Sequence, residues 1–250
     1  MPDHVIVTDE EAIRIIKLRR PEKKNALTQG MYDAMRDAID TAQNNPAIRC
    51  LMITGGPGVF TAGNDLEDFR STTAGDPRPV GAVKFMYSLV QNTKPVVAAV
   101  DGIAIGIGVT MMFHCDYVVA STTALFSTPF IHLGLVPEGA SSLLAPATMG
   151  YQRAFAMLLM GRPVSAEEAH QAGFVNMVAP PGHAEVEALK VARDICTLPA
   201  EALAVSRKLL RPPPEQLLRR IDQESHLFGE RLSSPEAIAA FNAFFARKSA

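Results

Sequence analysis

Residues 95–108 read Pro95-Val96-Val97-Ala98-Ala99-Val100-Asp101-Gly102-Ile103-Ala104-Ile105-Gly106-Ile107-Gly108. Five small or β-branched apolar residues, opened by proline and stopped by Asp101-Gly102, have the length and character of a buried strand. Glycines 106 and 108 then punctuate the chain, and Val109 to His114 reads as a buried helix. Upstream, Cys50-Leu51-Met52-Ile53-Thr54 is another short buried strand, ended by Gly55-Gly56-Pro57-Gly58. Downstream, Tyr117 to Ala120 and Ala124 to Phe126 are two more. Between the strands lie a helix capped by Thr28, with Met31, Met35, Ala38, Ile39 and Ala42 on one face, and a helical segment from Val83 to Gln91. Alternating strands and helices predict an α/β core.

Further out, Ile13, Ile15 and Leu18 lie in a β-like run behind Val5-Ile6-Val7, with Asp9-Glu10 as the turn. Ser71 to Val80, rich in Gly, Pro, Ser and Thr, reads as a mobile loop. From Gly139 the pattern becomes helical, near 139–148, 150–160, 165–172, 183–197, 199–210, 214–230 and 234–247, with Val175 to Val178 the one strand. A composition shift near residue 200 divides a core, 1–198, from a helical region, 199–250. The last helix carries Ile238, Phe241, Phe244 and Phe245. Such a face packs on its own core, or covers a neighbouring subunit or ligand site.

The 250 residues carry 24 Lys and Arg against 26 Asp and Glu, a net charge of −2. That balance argues against nucleic acid and against a polybasic membrane surface as partners. Cys50, Cys115 and Cys196 are odd in number and widely spaced, which suggests neither a zinc site nor a disulfide framework. Met1-Pro2-Asp3-His4 lacks the basic start of a signal peptide, and Gly102 to Phe113 is too short to span a bilayer. Lys248-Ser249-Ala250 is not a peroxisomal address. A soluble, cytoplasmic protein is expected.

Gly106-Ile107-Gly108 lacks the third glycine and the later acidic residue of a dinucleotide fingerprint. Gly55-Gly56-Pro57-Gly58 lacks the Lys-Ser/Thr ending of a P-loop, and no histidine pair has HExxH spacing. His114 and His132 read as packed or hydrogen-bonded. A triad of Ser141, His132 and Asp116 has no GxSxG elbow behind it. Two glycine-bearing turns matter more as a pair, Ala62-Gly63-Asn64-Asp65-Leu66 and Gly106-Ile107-Gly108. Each follows a strand and leads into a helix, where backbone N–H groups are unpaired. Facing one point, they would form an oxyanion hole; alone, the glycines merely permit tight turns. Glu138, at the expected start of a helix, is either a dipole partner or, in an apolar pocket, a general base with a raised pKa.

Together these residues resemble the crotonase (enoyl-CoA hydratase/isomerase) superfamily, from about Val5 to Lys248. The markers are Ala62 to Leu66, Asp101-Gly102 to Gly108, Cys115-Asp116 and Leu133-Gly134-Leu135-Val136-Pro137. The resemblance implies a spiral of ββα turns with a C-terminal helical region that trimerises, as a homotrimer or dimer of trimers. It implies oxyanion donors at the N–H groups of Asn64 and Ile107, around a thioester carbonyl. Ala62, Gly63, Asp65, Leu66, Gly106 and Phe130 would line the acyl-CoA site. Arg20 to Leu27 resembles the family's adenine-binding loop, with Lys23, Lys24 and Ala26 as CoA-binding residues.

Where the family's hydratases carry two glutamates, this chain has Thr110 and Phe130, neither of them a carboxylate base. Ser127 to Gly134, Pro137-Glu138-Gly139 and Ser141-Ser142 instead resemble the peroxisomal-type Δ3,Δ2-enoyl-CoA isomerases. So do Gly63 to Leu66, Val109-Thr110, and the ending from Leu232-Ser233-Ser234 through Arg247-Lys248-Ser249. That branch has its catalytic glutamate where Glu138 stands. The implied activity moves a double bond from carbon 3 to carbon 2 of an acyl-CoA in fatty-acid oxidation. No metal or redox cofactor is implied, CoA arriving with the substrate. A hydratase-like enzyme and a non-catalytic acyl-CoA-binding scaffold are the alternatives.

Overall fold

In the computed structural model, residues 4–67 and 80–248 are described. The chain opens with a hairpin, β1 (Val5–Glu10) and β2 (Ile13–Leu18). The expected turn at Asp9-Glu10 is in fact paired strand, and Glu11, with φ of 53°, makes the turn instead. Helix α1 (Gln29–Gln43) follows, and Thr28 caps it by accepting from the N–H of Met31. Its buried Met31, Met35, Ala38, Ile39 and Ala42 are the face the periodicity predicted.

Two-strand units then repeat. β3 (Cys50–Thr54) is followed by β4 (Val59–Thr61), β5 (Val96–Val100) by β6 (Ile103–Ile105), and β7 (Tyr117–Ser121) by β8 (Leu125–Ser127). Each first strand joins one sheet, ordered β1-β2-β3-β5-β7-β10, with β10 at Met177–Ala179. Each second strand joins another, β4-β6-β8-β9, with β9 at Val164–Ser165. Helix α2 (Val80–Gln91) separates the first two units and α3 (Ile107–Thr110) the next two. The chain therefore advances by one strand in both sheets per unit, a spiral of ββα turns.

β4, β6 and β9 were not expected as strands, because two or three residues are too few to show a period of two. The loop read over Ser71 to Val80 lies outside the described residues except for Val80, which begins α2.

β5 is buried along its whole length, and its side chains alternate between two cores. Val96, Ala98 and Val100 face the larger core, which includes Met35, Ile39 and Phe85. Val97 and Ala99 face α7 (Ala184–Thr197) with Cys50, Met52 and Val119. That helix presents Ala184, Ala188 and Ala192, a small-residue stripe at i, i+4 and i+8, so it lies close on the sheet.

The remaining helices are α4 (Ser141–Met149), α5 (Tyr151–Ala154), α6 (Ala166–Ala172), α8 (Ala200–Leu210), α9 (Pro214–Leu232) and α10 (Pro235–Lys248). The helix expected over 150–160 is α5 widening into a π-helical turn at Phe155–Leu159. A capping box at Ser165 and Glu168 starts α6. α9 packs across α2, and α10 against the short turn Ile131–Leu133. No helix among the described residues is long and apolar enough to cross a membrane.

Adjacent units touch through their backbones. At Gly102, with φ of +75°, a Cβ would stand 1.9 Å from the carbonyl oxygen of Gly58. Gly102→Ala should therefore lower stability by roughly 2–5 kcal/mol, combining left-handed strain with overpacking. Gly182 has a similar φ, +74°, but nothing within 4 Å of its Cβ position. Gly182→Ala should lose only about 1–2 kcal/mol. Urea unfolding of both variants checks the difference; equal losses would mean the Gly58 contact is soft.

Candidate active site

β4 and β6 are parallel neighbours, pairing Val59 with Ile103 and Thr61 with Ala104. Parallel strands end on the same side, so the turns that follow leave the sheet together. Gly63 makes this approach feasible, since a Cβ there would lie 2.8 Å from the carbonyl oxygen of Ile105. On the other flank, Leu27 donates to the carbonyl of Gly63 at 2.8 Å and accepts from the N–H of Asp65 at 2.9 Å. In such a bridge the intervening residue, Asn64, points its own N–H away from Leu27.

Gly106 donates to Ser127, and its carbonyl accepts from Val109 and Thr110, which leaves Ile107 as the first residue of α3. Among the described residues, neither Asn64 nor Ile107 donates its N–H to another backbone group. Both residues line one cavity of about 370 Å³, together with Ala62, Gly63, Leu66, Gly106 and Phe130. Of the residues expected at the site, these seven share the cavity, whereas Glu138, Asp65, Lys23, Lys24 and Ala26 do not line it. The carboxylate of Asp65 turns to Arg20, whose Nη1 donates at 2.5 Å.

Apart from His132, the rest of the wall is apolar, with Leu133, Leu135, Phe228, Phe241 and Phe244. α10 therefore lines a ligand-sized cavity of its own chain, while Ile238 stays 51% exposed.

The 20–27 segment is tied to the first turn by a residue the sequence reading passed over. Asn25 is buried, and its Nδ2 donates to the carbonyls of Gly55, Val59 and Phe60 while its Oδ1 accepts from Arg20 N–H. Lys23 and Lys24 are exposed; Lys23 pairs with Glu67 at 3.3 Å, and Ala26 gives its carbonyl to Arg20.

Glu138 is 7% exposed, but it does not start a helix. α4 begins at Ser141, after Ala140 in the left-handed conformation. The carboxylate at that helix end is Glu224 of α9, which accepts from the N–H groups of Ala140 at 2.6 Å and Ser142 at 3.0 Å. Sequence periodicity held a signal for it, since Glu224 shares the buried face of α9 with Leu217, Ile221 and Phe228.

Freed of the helix-end role, Glu138 accepts one hydrogen bond, from Thr110 Oγ1 at 2.6 Å. It borders a small cavity, about 10 Å³, with Val83, Met86, Ile221, Ser225 and Phe228. Phe228 lines both cavities. Burial pushes the Glu138 pKa up to about 7; the Thr110 bond opposes this, and the charge of Glu224 adds to it.

His114 is fully buried and donates through Nε2 to the carbonyl of Gly139 at 2.7 Å, since a carbonyl can only accept. Burial holds its pKa down to about 4, so it is a neutral tie on the Glu138 turn, as its packed reading implied. The Ser141, His132 and Asp116 triad is not assembled. Among the described residues Ser141 Oγ has no hydrogen-bond partner, His132 is exposed on the cavity wall, and Asp116 is taken by Arg207 Nε at 2.8 Å.

A carboxyl whose pKa is raised on folding contributes stability at low pH that is lost as pH climbs through the folded value. The penalty grows between about pH 4.5 and 7 and is complete above. Glu138→Gln should therefore be more stable than the parent by roughly 3–4 kcal/mol at pH 8, and equal to it near pH 4. Denaturant unfolding at the two pH values checks this. A difference independent of pH would show Glu138 to be ionised at no unusual cost.

The family model described as enoyl-CoA hydratase/isomerase matches residues 8–249. Enoyl-CoA delta isomerase 2 of Rattus norvegicus is 35% identical over 98% of this chain, which spans 64% of the rat protein's length. Crotonyl-CoA hydratase of Syntrophomonas wolfei is 28% identical over 99% of this chain and 97% of its own. The solved structure of Pseudomonas aeruginosa OdaA superposes with a TM-score of 0.91 at 39% identity, covering 97% of this chain and 98% of that one. The chain belongs to the enoyl-CoA hydratase/isomerase family and has its crotonase-like fold.

Proposed function

We propose that this enzyme is a Δ3,Δ2-enoyl-CoA isomerase of fatty-acid oxidation. The observation that carries the reading is Glu138, a buried carboxylate with a pKa near 7, on a small cavity that shares Phe228 with the cavity of the paired turns. The N–H groups of Asn64 and Ile107 would hold the thioester oxygen. Glu138 would take a proton from carbon 2, the negative charge of the resulting dienolate would rest on that oxygen, and the acid so formed would return a proton to carbon 4. Each N–H donor is worth about 3–4 kcal/mol in comparable oxyanion holes.

Hydration would need a positioned water as well. Thr110 is fully buried and spends its hydroxyl on Glu138, and Phe130 puts a ring on the cavity wall. The 35% identity to a rat protein named as a delta isomerase supports the same branch. CoA comes with the substrate, its phosphates meeting Lys24 and Lys23 and its adenine the backbone near Ala26. A homotrimer, or dimer of trimers, would cover the exposed Leu209 and Leu210 of α8 in the C-terminal region 199–250.

The test is purified protein with 3-hexenoyl-CoA, followed by absorbance of the conjugated thioester and by product mass. Conjugation without mass gain, lost by a hundredfold or more in Glu138→Gln, is the expected result. The rate should rise with pH up to about 7, because the base must be ionised, and level off above. A gain of one water would instead assign a hydratase, the activity named for the Syntrophomonas relative. Lys24→Ala should raise KM a few-fold and leave kcat unchanged, as loss of a screened surface charge does.

A further inference from the structure

Two residues beyond Glu138, the backbone is held by a second buried carboxylate, from a helix nearly ninety positions later in the chain. Glu224 is 5% exposed and accepts from Ala140 N–H, Ser142 N–H and the Ser142 hydroxyl. Arg220, one helical turn earlier, donates to that same hydroxyl at 3.0 Å. The turn it grips is strained, for Ala140 sits at φ of 60°, which an alanine adopts only when its surroundings impose it.

Glu224 does not border either cavity, although its neighbours Ile221, Ser225 and Phe228 do. We infer that Glu224 is a positioning residue for Glu138: it clamps the 140–142 backbone so that the Glu138 carboxyl is presented at its cavity, and it sets a second carboxylate behind that turn.

The groups around Glu138 leave this role to Glu224. From α3 comes the neutral hydroxyl of Thr110, and from the turn that follows α3 comes the buried, neutral His114. From α2 come Val83 and Met86, which carry no charge. From α9 come Glu224, Arg220 and the hydroxyl of Ser225. Burial raises the Glu224 pKa, while its three hydrogen bonds and Arg220 favour the anion. The charge of Glu224 in turn disfavours a second charge on Glu138.

This inference rests on Glu138 being the proton carrier, and two variants separate position from charge. Glu224→Asp keeps the charge but shortens the reach. Its kcat should fall by up to a hundredfold, the scale of an ångström's misplacement, with KM and the pH midpoint little changed. Glu224→Gln removes the charge, and the titration midpoint of Glu138 should move to lower pH.

That midpoint is read twice, from the pH dependence of kcat and from the carboxyl infrared band of Glu138, assigned by subtracting the Glu138→Gln spectrum. The infrared reading needs no turnover. An inactive parent whose Glu138 band still shifts in Glu224→Gln would refute the isomerase reading yet uphold the charge coupling inferred here. A Glu138 midpoint unchanged in folded Glu224→Gln, whatever its rate, overturns the inference, as does a Glu224→Asp enzyme with parental kcat.

Discussion

The site depends on how closely two stretches of main chain can approach. β4 and β6 pair in parallel, and the turns beyond them stay in contact because Gly63 puts no carbon between itself and the carbonyl of Ile105. A similar contact, Gly102 against Gly58, joins the same two units at the other ends of β4 and β6. The sheets could exist without these contacts, but the turns would splay. Asn64 and Ile107 line one cavity because their strands are adjacent and their turns do not diverge.

The second constraint is electrostatic. A carboxyl is stable as an anion in water, and the fold withholds water from Glu138, leaving it one hydroxyl donor. The unpaired N–H groups at the start of α4, which would otherwise hold an anion there firmly, are given to Glu224. Two carboxylates a few residues of structure apart therefore differ in character. Glu224 has three donors and an arginine behind its serine; Glu138 has a threonine and an apolar wall. Environments that push paired titratable groups apart are how one molecule assigns different duties to the same chemical group.

Much of this was legible in the sequence. Long or fully apolar elements announced themselves, as β3 and β5 did through unbroken apolar runs and α1 through its cap and its 3.6-residue stripe. The two glycine turns were visible as punctuation, and the family resemblance carried Glu138 to its place. What stayed hidden was either too short for a pattern or non-local. β4 and β6 have three residues each, and their importance lies in a pairing more than forty positions apart. The end of α4 was misjudged because Glu138 and Glu224 compete for that place, and only the folded chain shows the distant one occupying it. Asp65 fits the turn motif, but its partner, Arg20, comes from another segment.

That the donors proposed at positions 64 and 107 are main-chain atoms bears on how such a pocket can diversify. Nearly every amino acid brings the same N–H, so the identity of the side chain at these two places does not decide whether the N–H is there. Proline alone would delete one. The letters that cannot drift are those that let strands touch, such as Gly63 and Gly102. Ancestry would then be written most durably in the glycines, and preference for one acyl group over another in the replaceable side chains around them.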